Sequence, residues 1–272
     1  MILDGRIVAK KIQEDIKEKV LENKITLAIV AIGNNNSANS YIRGVIKTSE
    51  KLGVTVNIIK LDENISTKEA IDEINKLNND NFVNGIMIQM PLPKSINQSE
   101  VINSISYLKD VDGLTDINMG KLIKKTNDGF IPCTPLAIIT LLEFYNIEVE
   151  GLDVVVVGRS NIVGKPIAGI LTNKGATVTI CHSKTRNLKG KTRNADIVII
   201  AIGRKNFLTE DMVSEDAIVI DVGINVVDKK LYGDADYNNL INKVKAITPV
   251  PGGIGSITNT LLIQNTVDSF LR

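Results

Sequence analysis

Short apolar runs alternate with amphipathic stretches along most of the chain. From Arg6 to Glu22 the apolar residues recur with a helical period, at Ile7, Val8, Ile12, Ile16 and Val20. The run TLAIVAIG and the polar turn NNNSANS follow, and a second helix is predicted from about Ser40 to Leu52, just before Gly53. A repeated order of strand and helix is typical of an α/β protein with parallel strands.

The rest of the first half continues this pattern. The strand VTVNIIK gives way at Ser66 and Thr67 to a helix that reaches about Leu77. The strand GIMIQ then runs into MPLP, where two prolines prevent further ladder pairing. A helix predicted from Thr134 to Tyr145, with Pro135 in its first turn, connects this half to the next.

The second half repeats the alternation with strands that are apolar throughout. DVVVVG, a helix ending near Gly175, and the strands TVTICH, DIVIIAIG and AIVIDVGI follow one another. Such strands are buried on both faces, as in a doubly wound sheet. We therefore predict an α/β substrate domain over residues 1–135 and a Rossmann-type, doubly wound dinucleotide-binding domain over residues 136–255, with a cleft between them. A last helix is predicted from about Thr258 to Leu271, and residues 256–272 are assigned to the first domain.

Composition narrows the function classes. The 272 residues are 43% hydrophobic and 23% charged, and 32 basic against 31 acidic side chains leave a formal net charge of +1. A net charge so close to zero creates no electrostatic field that would attract nucleic acid or a membrane surface, so we expect neither as a partner. No apolar run approaches the roughly 20 residues that span a bilayer, and the first residues are too polar for a secretory signal. One histidine and two distant cysteines argue against a disulfide framework or a zinc site and favour the cytoplasm.

A glycine-bearing turn joins a buried strand to a helix in VVVVGRSNIVGKPIAGIL. A pyrophosphate can bind the exposed backbone N–H groups at such a helix N-terminus. Gly158 and Gly164 are present, but Ser160 replaces the middle glycine of the dinucleotide fingerprint. Taken alone, this pattern also fits a structural turn that binds no ligand.

The end of the second strand of this half indicates which nucleotide binds. NAD-specific folds usually carry an acidic residue there to hold the ribose hydroxyls. Here the strand ends in CHSKTR, which has two hydroxyls, two basic side chains and no acid. Together with Arg159, this composition tolerates a 2′-phosphate and favours NADP over NAD. Individually, Lys184 and Arg186 are equally compatible with a solvated loop.

Several segments together resemble one enzyme family. SYIRGVIK, GIMIQMPLP, KDVDGL, PCTP, VVVGRSNIVGKP, HSKT, IDVGIN and PVPGGIG occur in this order between about residues 30 and 260. They resemble the signatures of the methylenetetrahydrofolate dehydrogenase/methenyltetrahydrofolate cyclohydrolase family. The resemblance implies that a hydride passes from methylenetetrahydrofolate to NADP and that water then opens the methenyl ring. The substrate nitrogens stabilise the cation that forms, so the protein's main task in the first step is positioning.

The resemblance also assigns the substrate residues. Asp112 corresponds to the pterin-binding aspartate, Tyr41 to a tyrosine that flanks the pterin, and Gln89 to a glutamine that helps position it. These three are the predicted catalytic residues, and Pro251, Gly252 and Gly253 complete the substrate site. From the residues alone, Tyr41 also fits a packing role, Asp112 a turn former, and Gln89 a strand end.

The resemblance places the cofactor in the second half and implies a homodimer. The predicted NADP-binding residues are Gly158, Arg159, Ser160, Val163, Gly164, His182, Ser183 and Ile224. The dimer is expected to form through the dinucleotide domain, and no metal is expected. Cys133 is interpreted as a packed small residue rather than a nucleophile.

One position departs from the family pattern. The family's tyrosine helix carries a lysine four residues after the tyrosine, where both side chains share a face, and that lysine is central to the cyclohydrolase step. Here that residue is Val45, which can neither hold a proton nor polarise water. Lys47 is a poor substitute, since two further residues turn the helix by roughly 200°. We therefore expect dehydrogenase activity with an absent or weak cyclohydrolase step, and we expect Val45→Lys to raise hydrolysis.

Three other functions remain open at this point. The chain could be a fully bifunctional dehydrogenase and cyclohydrolase. It could be a shikimate dehydrogenase-like NADP oxidoreductase with the same two-domain architecture. It could also be a non-catalytic module that binds NADP or folate. The valine at position 45, where the family keeps a lysine, strengthens this alternative.

Overall fold

The chain forms two compact units in a computed structural model that describes residues 1–20, 23–33, 36–126 and 128–272, without the side chains of residues 36–40. Residues 11–133 and 259–272 make up one unit, here called the first-half unit. Residues 1–10 and 134–258 make up the second-half unit. The predicted helix end at Glu22 and residues 34–35 of the predicted polar turn lie outside the described residues.

The first-half unit is built on a three-stranded parallel sheet with the order β2-β1-β3. Its strands are β1 (Thr26–Ile32), β2 (Thr55–Leu61) and β3 (Gly85–Ile88), and its helices are α2 (Asn36–Leu52), α3 (Thr67–Asn79), α4 (Gln98–Asn103) and α5 (Asp116–Lys124). Helices α1 (Gly5–Val20) and α10 (Ile254–Phe270) each contribute most of their length to it.

Alternation along the strands divides the core of this unit into two layers. Leu27 and Ile29 of β1 face the layer that contains Val45 of α2 and Leu262 of α10. Their neighbours in the strand face the opposite layer, which α3 and α4 cover. Because side chains in a strand point alternately to opposite faces, α2 and α10 share one face of the sheet and the same core.

Local signals explain where α3 begins and ends. The Ser66 side chain accepts a hydrogen bond from the Glu69 backbone N–H, and the Glu69 carboxylate accepts one from Ser66, which completes a capping box. At the other end, the Lys109 ammonium donates to the carbonyls of Leu77, Asn78 and Asp80. This contact fixes the start of the KDVDGL segment against α3.

The second-half unit contains a five-stranded parallel sheet with the order β10-β7-β6-β4-β5. Its elements are α6 (Cys133–Phe144), β4 (Asp153–Val157), α7 (Gly164–Asn173), β5 (Thr177–Cys181), α8 (Leu188–Arg193), β6 (Ile197–Ile200), a 3₁₀ turn (Glu210–Met212), β7 (Ile218–Asp221), the hairpin β8 (Asn225–Val227) and β9 (Lys230–Tyr232), α9 (Tyr237–Leu240) and β10 (Ala246–Ile247). The strand order reverses between β4 and β6, and ligands of doubly wound sheets bind beyond the carboxyl ends of the strands at this kind of point.

The first ten residues belong to the second-half unit, whereas the sequence analysis assigned them to the first domain. Leu3 donates its backbone N–H to Ile247, and Ile247 donates to Met1, so the N-terminal residues pair with β10. Gly5 donates to the Gly252 carbonyl at 2.8 Å. A side chain at Gly5 would place its Cβ 2.2 Å from the Gly253 carbonyl oxygen, so only glycine fits there.

Most predicted strands and longer helices are found where the sequence placed them. The last helix begins at Ile254, earlier than predicted. The short helices α4, α5, α8 and α9 and the β8–β9 hairpin were not predicted, because each is too short to show a clear period. Among the described residues, no helix is long and apolar enough to cross a membrane.

Candidate active site

A tight turn after the first sheet presents Asp112. Asp110 pairs with Ile86 of β3, and its buried carboxylate accepts hydrogen bonds from the backbone N–H groups of Leu114 and Thr115 and from the Asn118 side chain. Gly113 follows with φ +69°, and a Cβ there would lie 2.7 Å from the Ile131 backbone. Asp110 therefore fixes the turn, while the next carboxylate in it, that of Asp112, takes no part in those bonds.

Asp112 is half-buried beside Tyr41 and Cys133. Burial raises the pKa of Asp112 to about 7, and the nearby Asp110 carboxylate adds to the rise. Hydrogen bonds from the thiol and the backbone N–H of Cys133 act in the opposite direction. Burial also raises the pKa of Tyr41 well above its ordinary value, and the Asp112 charge contributes to that shift. The two predicted site residues Tyr41 and Asp112 are thus close together.

Gln89 lies just beyond β3, on the face of the sheet that α2 covers. Its backbone N–H donates to Val30 at 2.8 Å, which extends the pairing of β3 with β1 by one residue. Met87, two residues earlier, packs in the same core layer as Val45, and residues two apart in a strand point the same way. The Gln89 Nε2 donates to the Met90 carbonyl, whereas its buried Oε1 accepts no hydrogen bond from the described residues.

Val45 lies one helical turn after Tyr41, at the position where the family resemblance predicts a lysine. It is 0% exposed and packs in the core layer that includes Ile29, Met87 and Cys133. This part of the site is therefore apolar, and the residue one helical turn from Tyr41 supplies no polar atom.

These groups together suit a flat ligand with adjacent N–H donors. A carboxylate accepts two parallel hydrogen bonds from such an edge, and the unsatisfied Gln89 oxygen offers one more acceptor. The Tyr41 ring provides an aromatic surface next to the carboxylate. The site can bind and orient a heterocycle, and none of the described residues in it is arranged as an activated nucleophile.

The predicted phosphate turn follows β4 at the point where the strand order of the second sheet reverses. Gly158 has φ +131°, and a Cβ there would lie 2.5 Å from the Ala201 carbonyl beyond β6. A Cβ at Gly164, the first residue of α7, would lie 2.2 Å from the Gly158 carbonyl. The turn therefore closes tightly only with glycine at both positions, and it leads directly into the N-terminus of α7.

Ser160 takes a role that the middle glycine of the fingerprint could not. Its hydroxyl oxygen accepts hydrogen bonds from the backbone N–H groups of Val163 at 3.1 Å and Gly164 at 3.4 Å. Arg159, beside it, has an exposed side chain. The turn thus presents one cationic side chain and one hydroxyl next to a helix N-terminus, which suits a pyrophosphate.

The end of β5 lies next to this turn. The Gly158 backbone N–H donates to the Cys181 carbonyl at 2.9 Å. His182 and Ser183, which follow Cys181, therefore lie next to the start of the predicted phosphate turn. His182 is tied into its loop, since its backbone N–H donates to the Thr185 hydroxyl and its Nδ1 accepts from the Lys184 N–H. Ser183 is exposed, and no carboxylate occurs between residues 182 and 186.

The remaining predicted residues of this unit lie in two other loops. Pro251, Gly252 and Gly253 follow β10, and Gly252 has φ +106° with the Arg6 side chain 3.3 Å from its would-be Cβ. Ile224 follows β7 and is 63% exposed. The described residues contain no group of His, Cys, Asp or Glu that could hold a metal ion.

Two buried aspartates that were not predicted from the sequence hold these loops. The Asp234 carboxylate accepts from the backbone N–H groups of Ile202, Gly203 and Arg204 just after β6. Asp221, at the end of β7, accepts from Gly223, Asp234 and Ala235, and burial raises its pKa to about 6. The only local signal was an acidic residue at the end of an apolar strand.

The pKa of Asp112 predicts a pH-dependent stability. The folded protein binds the Asp112 proton with a pKa of about 7 and the unfolded chain with one near 3.8, so the folded state carries more protons between these values. The free energy of unfolding therefore falls as pH rises through this window. Asp112→Asn has no carboxyl group to ionise at this position, so its stability does not fall over this pH range. We expect its free energy of unfolding to exceed that of the wild type above pH 7, and this excess to shrink as the pH falls toward 3.8.

Urea unfolding of the two proteins at one pH above and one below the window measures this effect. Asp72→Asn, which neutralises an exposed carboxylate on α3, is the matched control and should show no such crossover. Equal pH dependence of the wild type and Asp112→Asn would contradict the assignment.

Comparisons with known proteins agree with this architecture in both halves. A profile of the catalytic domain of tetrahydrofolate dehydrogenase/cyclohydrolase matches residues 3–112, and that of the NAD(P)-binding domain matches residues 132–272. The chain is 47% identical over 270 residues to the bifunctional protein FolD of Clostridium novyi, covering 97% of this chain and 96% of that protein.

Solved structures give the same result over the whole chain. The crystal structure of the bifunctional enzyme FolD-methylenetetrahydrofolate dehydrogenase/cyclohydrolase from Campylobacter jejuni matches with a TM-score of 0.96 at 43% identity, over 100% of this chain and 98% of that one. The Trypanosoma brucei enzyme, complexed with NADP cofactor and inhibitor, matches with a TM-score of 0.95 at 32% identity, over 100% and 97%. The predicted α/β fold and family resemblance are confirmed, and a shikimate dehydrogenase-like identity is set aside. The chain belongs to the tetrahydrofolate dehydrogenase/cyclohydrolase family.

Proposed function

We propose that this protein oxidises methylenetetrahydrofolate to methenyltetrahydrofolate with NADP, in one-carbon metabolism. The observation that carries the proposal is the half-buried Asp112 carboxylate beside Tyr41, in a chain whose two halves match both domains of the family. A pterin edge offers the adjacent N–H donors that such a carboxylate accepts. Gln89 adds an acceptor on the same face of the sheet.

Each of these residues has one task toward the folate. Asp112 accepts the pterin N–H groups in its ionised form, Tyr41 lies along the ring, and Gln89 fixes its orientation. None of them needs to remove a proton in the oxidation, because the two substrate nitrogens stabilise the cation left by the departing hydride. The residues therefore act by positioning, which accounts for a large part of many enzymatic rate enhancements.

NADP is the proposed oxidant, and when bound it accepts the hydride. The Trypanosoma brucei relative was solved with this cofactor. In the present chain the tight Gly158–Gly164 turn precedes the N-terminus of α7, where an anion is favoured, and Arg159 adds a positive charge. The absence of a carboxylate between residues 182 and 186 avoids repulsion of a 2′-phosphate. Pro251, Gly252 and Gly253 stay predicted substrate contacts, and Ile224 a predicted cofactor contact.

The second reaction of the family, hydrolysis of the methenyl ring, needs a group that this chain lacks at position 45. Opening the methenyl ring needs a group that activates water or stabilises the alkoxide that develops, and the family resemblance gives that role to a lysine. Val45 supplies only methyl groups, and it is fully packed in the core. We therefore propose that hydrolysis of methenyltetrahydrofolate by this chain is absent or weak, although named relatives are bifunctional.

The variant Val45→Lys tests whether an amine at position 45 is what hydrolysis requires. The four-carbon stem of a lysine can follow the apolar surface of Val45 and bring its ammonium to polar neighbours such as the unsatisfied Gln89 oxygen. We expect enzymatic hydrolysis of methenyltetrahydrofolate to rise about a hundredfold over the wild type, the lower end of the range for one general acid–base group. A lower thermal midpoint is also expected, because a charge enters an apolar core.

Val45→Met is the matched control, since it lengthens the side chain without adding an amine. It should leave hydrolysis at the spontaneous rate. Robust hydrolysis by the wild type, measured on the same methenyl substrate, would overturn the proposed loss whatever the variants do. NADP binding without any NADPH formation would instead favour a non-catalytic module.

Ser183→Asp tests the cofactor assignment. A carboxylate at the exposed end of β5 would repel a 2′-phosphate and could hold the ribose hydroxyls of NAD. We expect the ratio of kcat/KM for NADP to that for NAD to fall about tenfold or more, the effect of an electrostatic change of ~1.4 kcal/mol. Ser183→Asn keeps the shape without the charge and should change the ratio little. An unchanged ratio in the aspartate variant would place the 2′-phosphate elsewhere.

A homodimer is also proposed. The β8–β9 hairpin carries an exposed apolar surface, since Val226 is 65% and Leu231 44% exposed, and Ile224 lies just before it. Contiguous exposed apolar residues are typical of protein contacts, and the family resemblance places the dimer contact in this unit. Sedimentation of the full chain tests the proposal, and a monomer mass at micromolar concentration would contradict it.

Location in the cytoplasm is proposed on the state of the cysteines. Cys133 and Cys181 are both free and buried. Proteins with isolated free thiols are typical of reducing compartments. Fractionation of the source cells tests this proposal, and recovery with secreted proteins would contradict it.

A further inference from the structure

The loop after β6 (residues 201–204) lies at the point where the strand order of the second sheet reverses. Its first residue, Ala201, donates its backbone N–H to the Val157 carbonyl at the end of β4 at 2.9 Å. A Cβ at Gly158 would lie 2.5 Å from the Ala201 carbonyl oxygen, so this loop lies directly against the predicted phosphate turn. Doubly wound sheets bind their nucleotide in the crevice at such a point. The conformation of the loop after β6 therefore bears on cofactor binding.

One buried carboxylate holds this loop. Asp234 is 0% exposed, and its Oδ2 accepts the backbone N–H groups of Ile202 at 2.6 Å and Gly203 at 2.9 Å. Its Oδ1 accepts the backbone N–H of Arg204 at 2.7 Å and the Nδ2 group of Asn225 at 2.9 Å. Each carboxylate oxygen thus accepts from two donors. A carboxylate satisfies such a set because it accepts at both oxygens, whereas a side-chain amide accepts at only one atom.

A second buried carboxylate fixes the backbone of Asp234 itself. Asp221, the last residue of β7, accepts the backbone N–H groups of Asp234 at 2.9 Å and Ala235 at 2.8 Å. A Cβ at Gly233 would overlap the Asp221 carboxylate, and a Cβ at Gly223 would overlap that of Asp234. Only glycine therefore lets the chain pass this close to the two carboxylates. These contacts determine where the Asp234 carboxylate lies, and all of them belong to the second-half unit.

We propose that Asp234 is a positioning residue for the cofactor, which holds residues 202–204 in the conformation that binds NADP. Without this carboxylate, three consecutive backbone N–H groups lose their acceptor, and the loop after β6 adopts other conformations. The binding conformation is then populated in only a fraction of the molecules, and the apparent affinity for NADP falls by that fraction. Once NADP is bound the loop is in place, so turnover at saturating NADP stays near the wild-type rate. The inference rests on the proposed function, because NADP is the proposed oxidant.

Asp234→Asn tests this role with little change of side-chain volume. Its amide NH2 group faces N–H donors where a carboxylate oxygen accepted them, so the loop after β6 is released. We expect the KM for NADP to rise about tenfold or more, the effect of one buried hydrogen bond to a charged group. The kcat at saturating NADP and the KM for methylenetetrahydrofolate should change little. The dissociation constant of NADP, measured by calorimetry on the full chain, should rise by a similar factor.

Hydrogen–deuterium exchange gives a readout that does not depend on activity. In the wild type the N–H groups of residues 202–204 are bonded to Asp234, so a peptide that spans them should exchange slowly. Asp234→Asn should make this exchange faster, and saturating NADP should slow it again in the variant.

Two further variants separate positioning from general destabilisation. Thr192→Val removes a buried hydroxyl that donates to the Leu188 and Lys189 carbonyls of α8, in the same unit and outside the loop after β6. It should lower the thermal midpoint and leave the KM for NADP unchanged. Asp234→Ala leaves space in which water can satisfy the freed N–H groups without fixing the loop. It should therefore raise the KM for NADP as well, and it keeps the test informative if Asp234→Asn folds poorly.

The outcomes separate this inference from the proposed function. Wild-type affinity for NADP in both Asp234 variants would overturn the inference. A loss confined to kcat, or an equal rise of the KM for NADP in Thr192→Val, would also overturn it. A wild type that binds NADP and forms no NADPH from methylenetetrahydrofolate would instead overturn the proposed function, and the binding comparison would still decide the role of Asp234.

Discussion

The partial burial of one carboxylate next to another is the constraint on which the candidate site depends. The Asp110 carboxylate accepts hydrogen bonds from two backbone N–H groups and from the Asn118 side chain. These bonds stabilise the turn, so Asp110 is a structural residue. Asp112 is left beside Tyr41 and Cys133 with a pKa of about 7. A carboxyl group kept near its titration point by burial is costly to stability and useful for binding, a combination that is typical of functional sites.

The two core layers explain why the neighbouring residues are where they are. α2 and α10 cover one face of the three-stranded sheet, which brings Tyr41 and Val45 to the face on which Met87 of β3 packs. Gln89 continues β3 by one residue on that face. Val45 is fully buried in the same core. Under the proposed function, a valine in place of the lysine expected from the family resemblance alters the second reaction and leaves this framework in place.

Local signals carried most of what the sequence could predict. Apolar strands, the Ser66 capping box and the glycines of the phosphate turn each act within a few residues, and the structure contains all of them. The first ten residues were assigned differently because their partners lie about 250 positions away in the chain, at residues 245–252. Cys133 was correctly interpreted as buried, yet its contact with Asp112 had no sequence signal.

We propose that this site completes the oxidation and not the hydrolysis. The most direct measurement follows methenyltetrahydrofolate and NADPH together while the purified full chain turns over methylenetetrahydrofolate with NADP. With Val45 in the core and no amine one turn from Tyr41, we expect methenyl product to accumulate in equal amount to NADPH, apart from its spontaneous hydrolysis. NADPH formation with little methenyl product, and formyltetrahydrofolate in its place, would contradict the account.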